Sequence, residues 1–132
     1  GCVVGGAGAV SVQGHASRTG VGAGMRQGGM LAAAGSDALD NHVDRMADAN
    51  GRATHLATAN NAINGFSVDL STVETNMVYF DSEISATDVM DALAASGIDV
   101  LDIGPHSCRI VVHLHVTDQD VLEVIRAFED LV

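Results

Sequence analysis

The chain has 132 residues, 47% hydrophobic but only 3% aromatic, and a formal net charge of −11 at pH 7. That apolar content excludes a disordered polymer and supports one domain with a modest core of Ala, Val, Leu, Ile and Met. The acidity repels nucleic-acid phosphates and anionic membranes and leaves no basic stripe to dock them, so neither partner is expected.

All six basic residues are arginines (Arg18, Arg26, Arg45, Arg52, Arg109 and Arg126), so no chemistry that needs a lysine amine can run on this chain. Cys2 and Cys108 form no CxxC, which points to buried or incidental thiols rather than a zinc knuckle or a disulfide framework. No apolar run approaches the ~20 residues a bilayer span requires, and no basic region precedes an apolar start. A soluble, cytoplasmic protein is the expectation. The chain also opens in mid-pattern at Gly1 without an initiator methionine, as a processed or truncated chain would.

In chain order, residues 1 to 24 hold over half of the fifteen glycines, with short apolar pieces at Val3-Val4 and Ala9 to Val12. This reads as loop with one short strand. Residues 24 to 30, GMRQGGM, lead small residues into a helix and place Arg26 where it can meet an anion near exposed backbone N–H groups. Gly5-Gly6-Ala7-Gly8 has neither dinucleotide-loop spacing nor a following Gly-Lys-Ser/Thr.

From Ser36, a capping residue, Leu39, Val43, Met46, Ala53 and Leu56 recur at helical spacing and predict one long amphipathic helix ending near Ala59, weakened at Gly51. Asn60-Asn61 and Asn64-Gly65 supply turn chemistry. Strands are predicted at residues 66–70 and 75–80. A helix follows from Ser85, with Asp88 completing a capping box, Val89, Met90 and Leu93 as its apolar face, and Gly97 as its stop. Strands over 98–101 and 108–116 precede a last helix capped by Thr117, with Val121, Leu122, Ile125, Phe128 and Leu131 facing inward. The sum is an α/β layer with helices over one face of a small sheet.

The run CRIVVHLHV at 108–116 concentrates the polar chemistry. Alternation puts Arg109, Val111, His113 and His115 on one strand face and Cys108, Ile110, Val112, Leu114 and Val116 on the other. Two histidines on one face can share a metal, but no third ligand stands at a recognised spacing, so no metal is expected. Arg109, held on rigid backbone, suits bidentate recognition of a carboxylate or phosphate; a solvated surface arginine is the plainer alternative.

Three ordered motifs carry a family resemblance from about residue 24 to the C-terminus. GMRQGGMLAAAG at 24–35 with ALDNHVDRMADAN at 38–50, VETNMVYFD at 73–81, and RIVVHLHVTDQDV at 109–121 resemble the C-terminal part of low-specificity L-threonine aldolases, in the β-eliminating lyase and threonine aldolase family. The resemblance implies the C-terminal small domain of the fold-type-I pyridoxal-phosphate transferase fold, helices packed on a small sheet, preceded by a Gly-rich segment and a long connecting helix. The implied organisation is a large-domain remnant and loop at 1–35, the connecting helix at 36–64 and the small α/β domain at 65–132.

The implied activity is retro-aldol cleavage of L-threonine or L-allo-threonine to glycine and acetaldehyde, with pyridoxal phosphate as cofactor and a homo-oligomer as the working form. Arg109 matches the arginine that grips the substrate carboxylate, and Arg26 a loop arginine with a cofactor-phosphate or intersubunit role. The family's Schiff-base lysine has no counterpart, because GCVVGGAGAVSV stands in its segment. No catalytic residue is therefore assigned, and the chain alone is expected to be inactive. The alternative from a different class is a small regulatory module that binds an amino acid and needs no lysine.

Overall fold

The computed structural model describes residues 6–20 and 24–131, and the chain divides into two compact units, one up to Val43 and one from Asp44 onward. The first holds α1 (Gly8–Gly20) and α2 (Gly29–Asn41), neither of which buries a side chain. The predicted loop and strand at Ala9 to Val12 are thus helix; Val3-Val4 lies outside the described residues. A two- or four-residue apolar piece needs a partner strand for its backbone groups, whereas a helix closes its own. Val10 N and Ser11 N both donate to the Ala7 carbonyl, at 2.8 and 3.1 Å.

The single helix predicted from Ser36 to Ala59 is two. Ser36 lies inside α2 and caps nothing, and a turn over residues 42–45 precedes α3 (Met46–Ala62). No Gly or Pro marks this break, so the helical spacing runs straight through it. Leu39, Val43 and Met46 are exposed, and burial begins only at Ala49, followed by Ala53, Leu56, Ala57 and Asn60 on one face of α3. Three alanines on that face let the helix lie close to the sheet beneath it. Asn60 is the polar exception, fully buried with neither side-chain atom meeting a protein partner.

The second unit continues with β1 (Phe66–Ser67), a 3-10 turn at Leu70–Thr72, β2 (Met77–Ser82), α4 (Ala86–Ala95), β3 (Leu101–Gly104), β4 (Ser107–Val111) and α5 (Asp118–Glu129). The sheet order is β1-β2-β4-β3, and every adjacent pair is antiparallel. α4 therefore carries the chain past the position of β4 to the far edge, and the β3–β4 hairpin returns it to the centre. β4 is left with a strand on each side.

One sheet face, with Val78 and Phe80 of β2 and Cys108 and Ile110 of β4, packs against Leu56 of α3, Val89 and Leu93 of α4, and Val121 and Phe128 of α5. All three phenylalanines of the chain meet edge to face in this core. Phe128 lies 5.1 Å from Phe66 and 5.2 Å from Phe80, and those two are 5.9 Å apart. With so few aromatics, pooling them at one point gives the small core its largest interlocked surface.

The cap signals of α4 and α5 hold. Ser85 accepts from Asp88 N, although the Asp88 carboxylate takes the Ser85 hydroxyl instead of the cap backbone. Gly97 ends the turn after α4 at φ 76, a conformation L-residues resist. Thr117 and Asp120 form the full reciprocal capping box of α5. Leu122 departs from expectation: it is exposed, and Val124 and Ala127 pack toward the core instead.

Candidate functional site

With a strand on each side, β4 is one of the two inner strands of the sheet, and alternation decides where each of its residues goes. Cys108 and Ile110 enter the core, while Ser107, Arg109 and Val111 lie on the opposite face, which carries no helix of this unit. Register then supplies the neighbours. Arg109 pairs with Tyr79 on one side and Leu101 on the other, Val111 pairs with Met77, and Ser107 pairs with Asp81. Tyr79 is 42% exposed and Leu101 48%, so this face is open.

The Arg109 guanidinium has no charged partner among the described residues, and its Nε is shut off from solvent without a hydrogen-bond acceptor. Other arginines are engaged: Arg52 Nε pairs with Asp118 Oδ1 at 2.6 Å, and Arg45 donates to the Leu114 carbonyl at 3.4 Å. An unsatisfied buried donor costs about 1–3 kcal/mol, and the terminal guanidinium nitrogens, which make no hydrogen bond among the described residues, are the ones a planar carboxylate can meet from the open face. Along the same face Ser107 Oγ donates to Asp81 Oδ1 at 2.5 Å, which fixes the carboxylate one row away from Arg109.

The histidine pair does not share this face. β4 ends at Val111, where its partner β2 begins at Met77. Val112 N still donates to the Asn76 carbonyl at 2.8 Å, and Asn76 Nδ2 returns a bond to the Val112 carbonyl at 3.0 Å, after which the chain turns. His113 and His115 are exposed beyond the strand, with ring centroids 5.6 Å apart and His115 N donating to His113 Nδ1. Among the described residues no group of three or more His, Cys, Asp or Glu is placed to hold a metal ion. The pair instead borders a cleft of about 570 Å³ that also touches Gly97, Val124 and Arg126, and Arg109 takes no part in it.

Behind Arg109, Cys108 is fully buried; burial pushes its thiol pKa up, and the Asp102 carboxylate adds to the effect. A thiol held in its neutral form is packing, not a nucleophile. Arg26 sits exposed in the turn ahead of α2, in the other compact unit from Arg109. The sequence reading had not singled out Tyr79, Asp81 or Leu101. Alternation in VYFD does put Tyr79 and Asp81 on one face, but only the register sets them beside Arg109.

The model of the Beta-eliminating lyase family matches residues 1–83. The chain belongs to the beta-eliminating lyase family. Within its surroundings, the chain is 34% identical over 115 residues to a probable low-specificity L-threonine aldolase 2 of Arabidopsis thaliana, covering 84% of this chain and 32% of that protein. It is 32% identical over 113 residues to low-specificity L-threonine aldolase 1 of the same plant, again covering 32% of the relative. The chain thus spans about a third of the length of these relatives.

A solved structure of MppP soaked with the product 2-ketoarginine shares the fold at TM-score 0.59 and 15% identity, covering 73% of this chain and 30% of that one. The fold is that of the fold-type-I C-terminal small domain. No helix among the described residues is long and apolar enough to cross a membrane.

Pyridoxal phosphate is the cofactor this family implies, and the residues of this chain do not fit it as an anchor. A lysine side chain is required for the covalent link, and all six basic residues are arginines. Cys108 cannot substitute, because a thiol forms no imine and this one is buried. What the chain does offer is a guanidinium at Arg109 with no charged partner among the described residues.

Proposed function

We propose that this chain supplies the carboxylate-binding small domain of a pyridoxal-phosphate-dependent L-threonine or L-allo-threonine aldolase, and that it is inactive by itself. The observation that carries the reading is the unpartnered Arg109 guanidinium on the open face of the central strand. Retro-aldol cleavage needs the substrate held so that one bond is aligned for breaking, and a bidentate arginine on a rigid strand provides that orientation. Similarity to two low-specificity L-threonine aldolases supports the substrate class. Arg26 is assigned a cofactor-phosphate or intersubunit role, supported by its exposure at the start of a helix. A cytoplasmic homo-oligomer is the working form this reading implies, and the exposed Met30, Leu31 and Leu39 of α2 are surfaces such an assembly would cover.

Replacing only the part of Arabidopsis aldolase 2 that matches the unit from Asp44 onward, so that the relative keeps its own lysine-bearing segment, tests the reading. The chimera is expected to bind cofactor, seen by its visible absorbance, and to release acetaldehyde from L-threonine, with Arg109→Gln raising KM at least tenfold. This chain alone, mixed with pyridoxal phosphate, is expected to release none. A cofactor-loaded chimera indifferent to Arg109→Gln refutes the assignment.

The amino-acid-binding module is kept as a second reading because the chain lacks lysine and leaves the Arg109 face open. Submillimolar binding of an amino acid to the isolated chain, lost in Arg109→Ala, supports it. A chimera that turns over threonine through Arg109 favours the aldolase.

A further inference from the structure

We propose that the cleft between α5 and the connection from α4 to β3 is a ligand site of its own, one that takes a small organic cation: an ammonium group on an apolar body. The proposal is independent of Arg109, which does not line the cleft. α5 packs on α3 and α4 packs on β3, and the helix layer keeps a seam between them above Ile110 of β4. At about 570 Å³ the seam is the size of a small-molecule site, which runs from about 300 to 1,000 Å³. Its floor is carbon. Val112 and Val121 are buried there, while Ile98, Val116, Val124 and Ala127 are only partly covered by the protein.

The rim decides the sign of the ligand. Asp99, Asp120, Glu123 and Asp130 line the cleft against one arginine, Arg126. Asp120 is committed to the cap of α5, and Glu123 accepts from Gln119 Nε2 at 3.1 Å. Asp99 and Asp130 enter no ion pair among the described residues. α4 adds to the same sign: it ends at the cleft, where Ser96 and Gly97 line the wall, and it has no basic residue in its last turn. The C-terminal end of a helix is its negative pole. A carboxylate therefore meets like charge in this cleft, a neutral hydrocarbon leaves the rim unused, and a cation with an apolar body satisfies both the floor and the rim.

The test follows the methyl NMR signals of Ile98 and Val124 while the full chain is titrated, at about pH 8 where an ordinary imidazole is neutral, with phenethylamine, with the neutral phenylethanol and with phenylpropionate. The amine is expected to bind about fivefold more tightly than the alcohol, the gain that two exposed ion pairs support, and the acid more weakly than either. Asp99→Asn combined with Asp130→Asn, both at exposed positions, is expected to bring the amine down to the affinity of the alcohol. Asp91→Asn, on exposed α4 surface outside the lining, is expected to keep the wild-type ratio, which separates the cleft from the acidity of the whole chain. Arg109→Gln is expected to change none of these affinities, so failure of the carboxylate reading leaves this one standing. Methyl signals unmoved by all three ligands, equal affinity for amine and alcohol, or a preference that survives the double variant overturns the proposal.

Discussion

Phe128→Ala removes the one side chain of α5 that ties the helix to both other phenylalanines of the protein. Phe128 is fully buried, with edge-to-face partners at 5.1 and 5.2 Å. Burying about 150–200 Å² of aromatic surface at about 25 cal/mol/Å² contributes about 4–5 kcal/mol, of which the alanine methyl keeps a small part. Losing two aromatic pairs adds to the cost, and the expected net loss is about 3–5 kcal/mol, as for other Phe→Ala core changes. At about 0.05–0.15 kcal/mol per residue, the unit from Asp44 onward is stable by only about 4–13 kcal/mol, so the variant should be marginally folded. Urea unfolding followed by far-UV circular dichroism measures this directly: the midpoint falls while the slope stays constant if the native state is otherwise intact. Leu122→Ala, on the exposed side of the same helix, is the control and should stay within about 0.5 kcal/mol. A Phe128→Ala loss below about 1 kcal/mol refutes the aromatic cluster as the centre of the core.

Two glycines should respond in opposite directions. Gly97→Ala meets no neighbouring atom but forces alanine to φ 76, and should cost about 1–2 kcal/mol; Gly51→Ala, in the interior of α3 with open space at its Cβ, should gain about 0.5–1 kcal/mol. The same urea midpoints decide both. Asp120 has its pKa lowered by backbone and side-chain hydrogen bonds from Thr117. A carboxyl depressed in the folded state stabilises above the ordinary carboxylate pKa of about 4, and that contribution is lost as pH falls through its lowered folded value. Asp120→Ala should accordingly flatten the fall of melting temperature on acidification below pH ~4, and identical slopes would contradict the capping-box account. Cys108, buried with a raised pKa, should resist a thiol reagent in the native state and react on unfolding in urea; prompt native labelling at Cys108 would show that the core face of β4 opens.

What the residues specified without help was local. Ser85 with Asp88, Gly97, and Thr117 with Asp120 begin and end α4 and α5 because caps act through backbone groups three or four residues away. The family motifs were likewise legible, being contiguous. The errors lie where a distant partner decides. Residues 36–59 keep helical spacing through a turn, since periodicity records which side would be buried and not whether anything is there to bury it; Leu39, Val43 and Met46 stay exposed.

The histidines of CRIVVHLHV alternate as if on a strand, yet the ladder ends at Val111 because β2 starts at Met77. Arg109 itself could be named from the chain. Its neighbours Tyr79, Asp81 and Leu101 come from two other strands, separated from it by α4 and a hairpin. Only the register of three strands, fixed by which face each buries, sets those side chains beside a lone arginine.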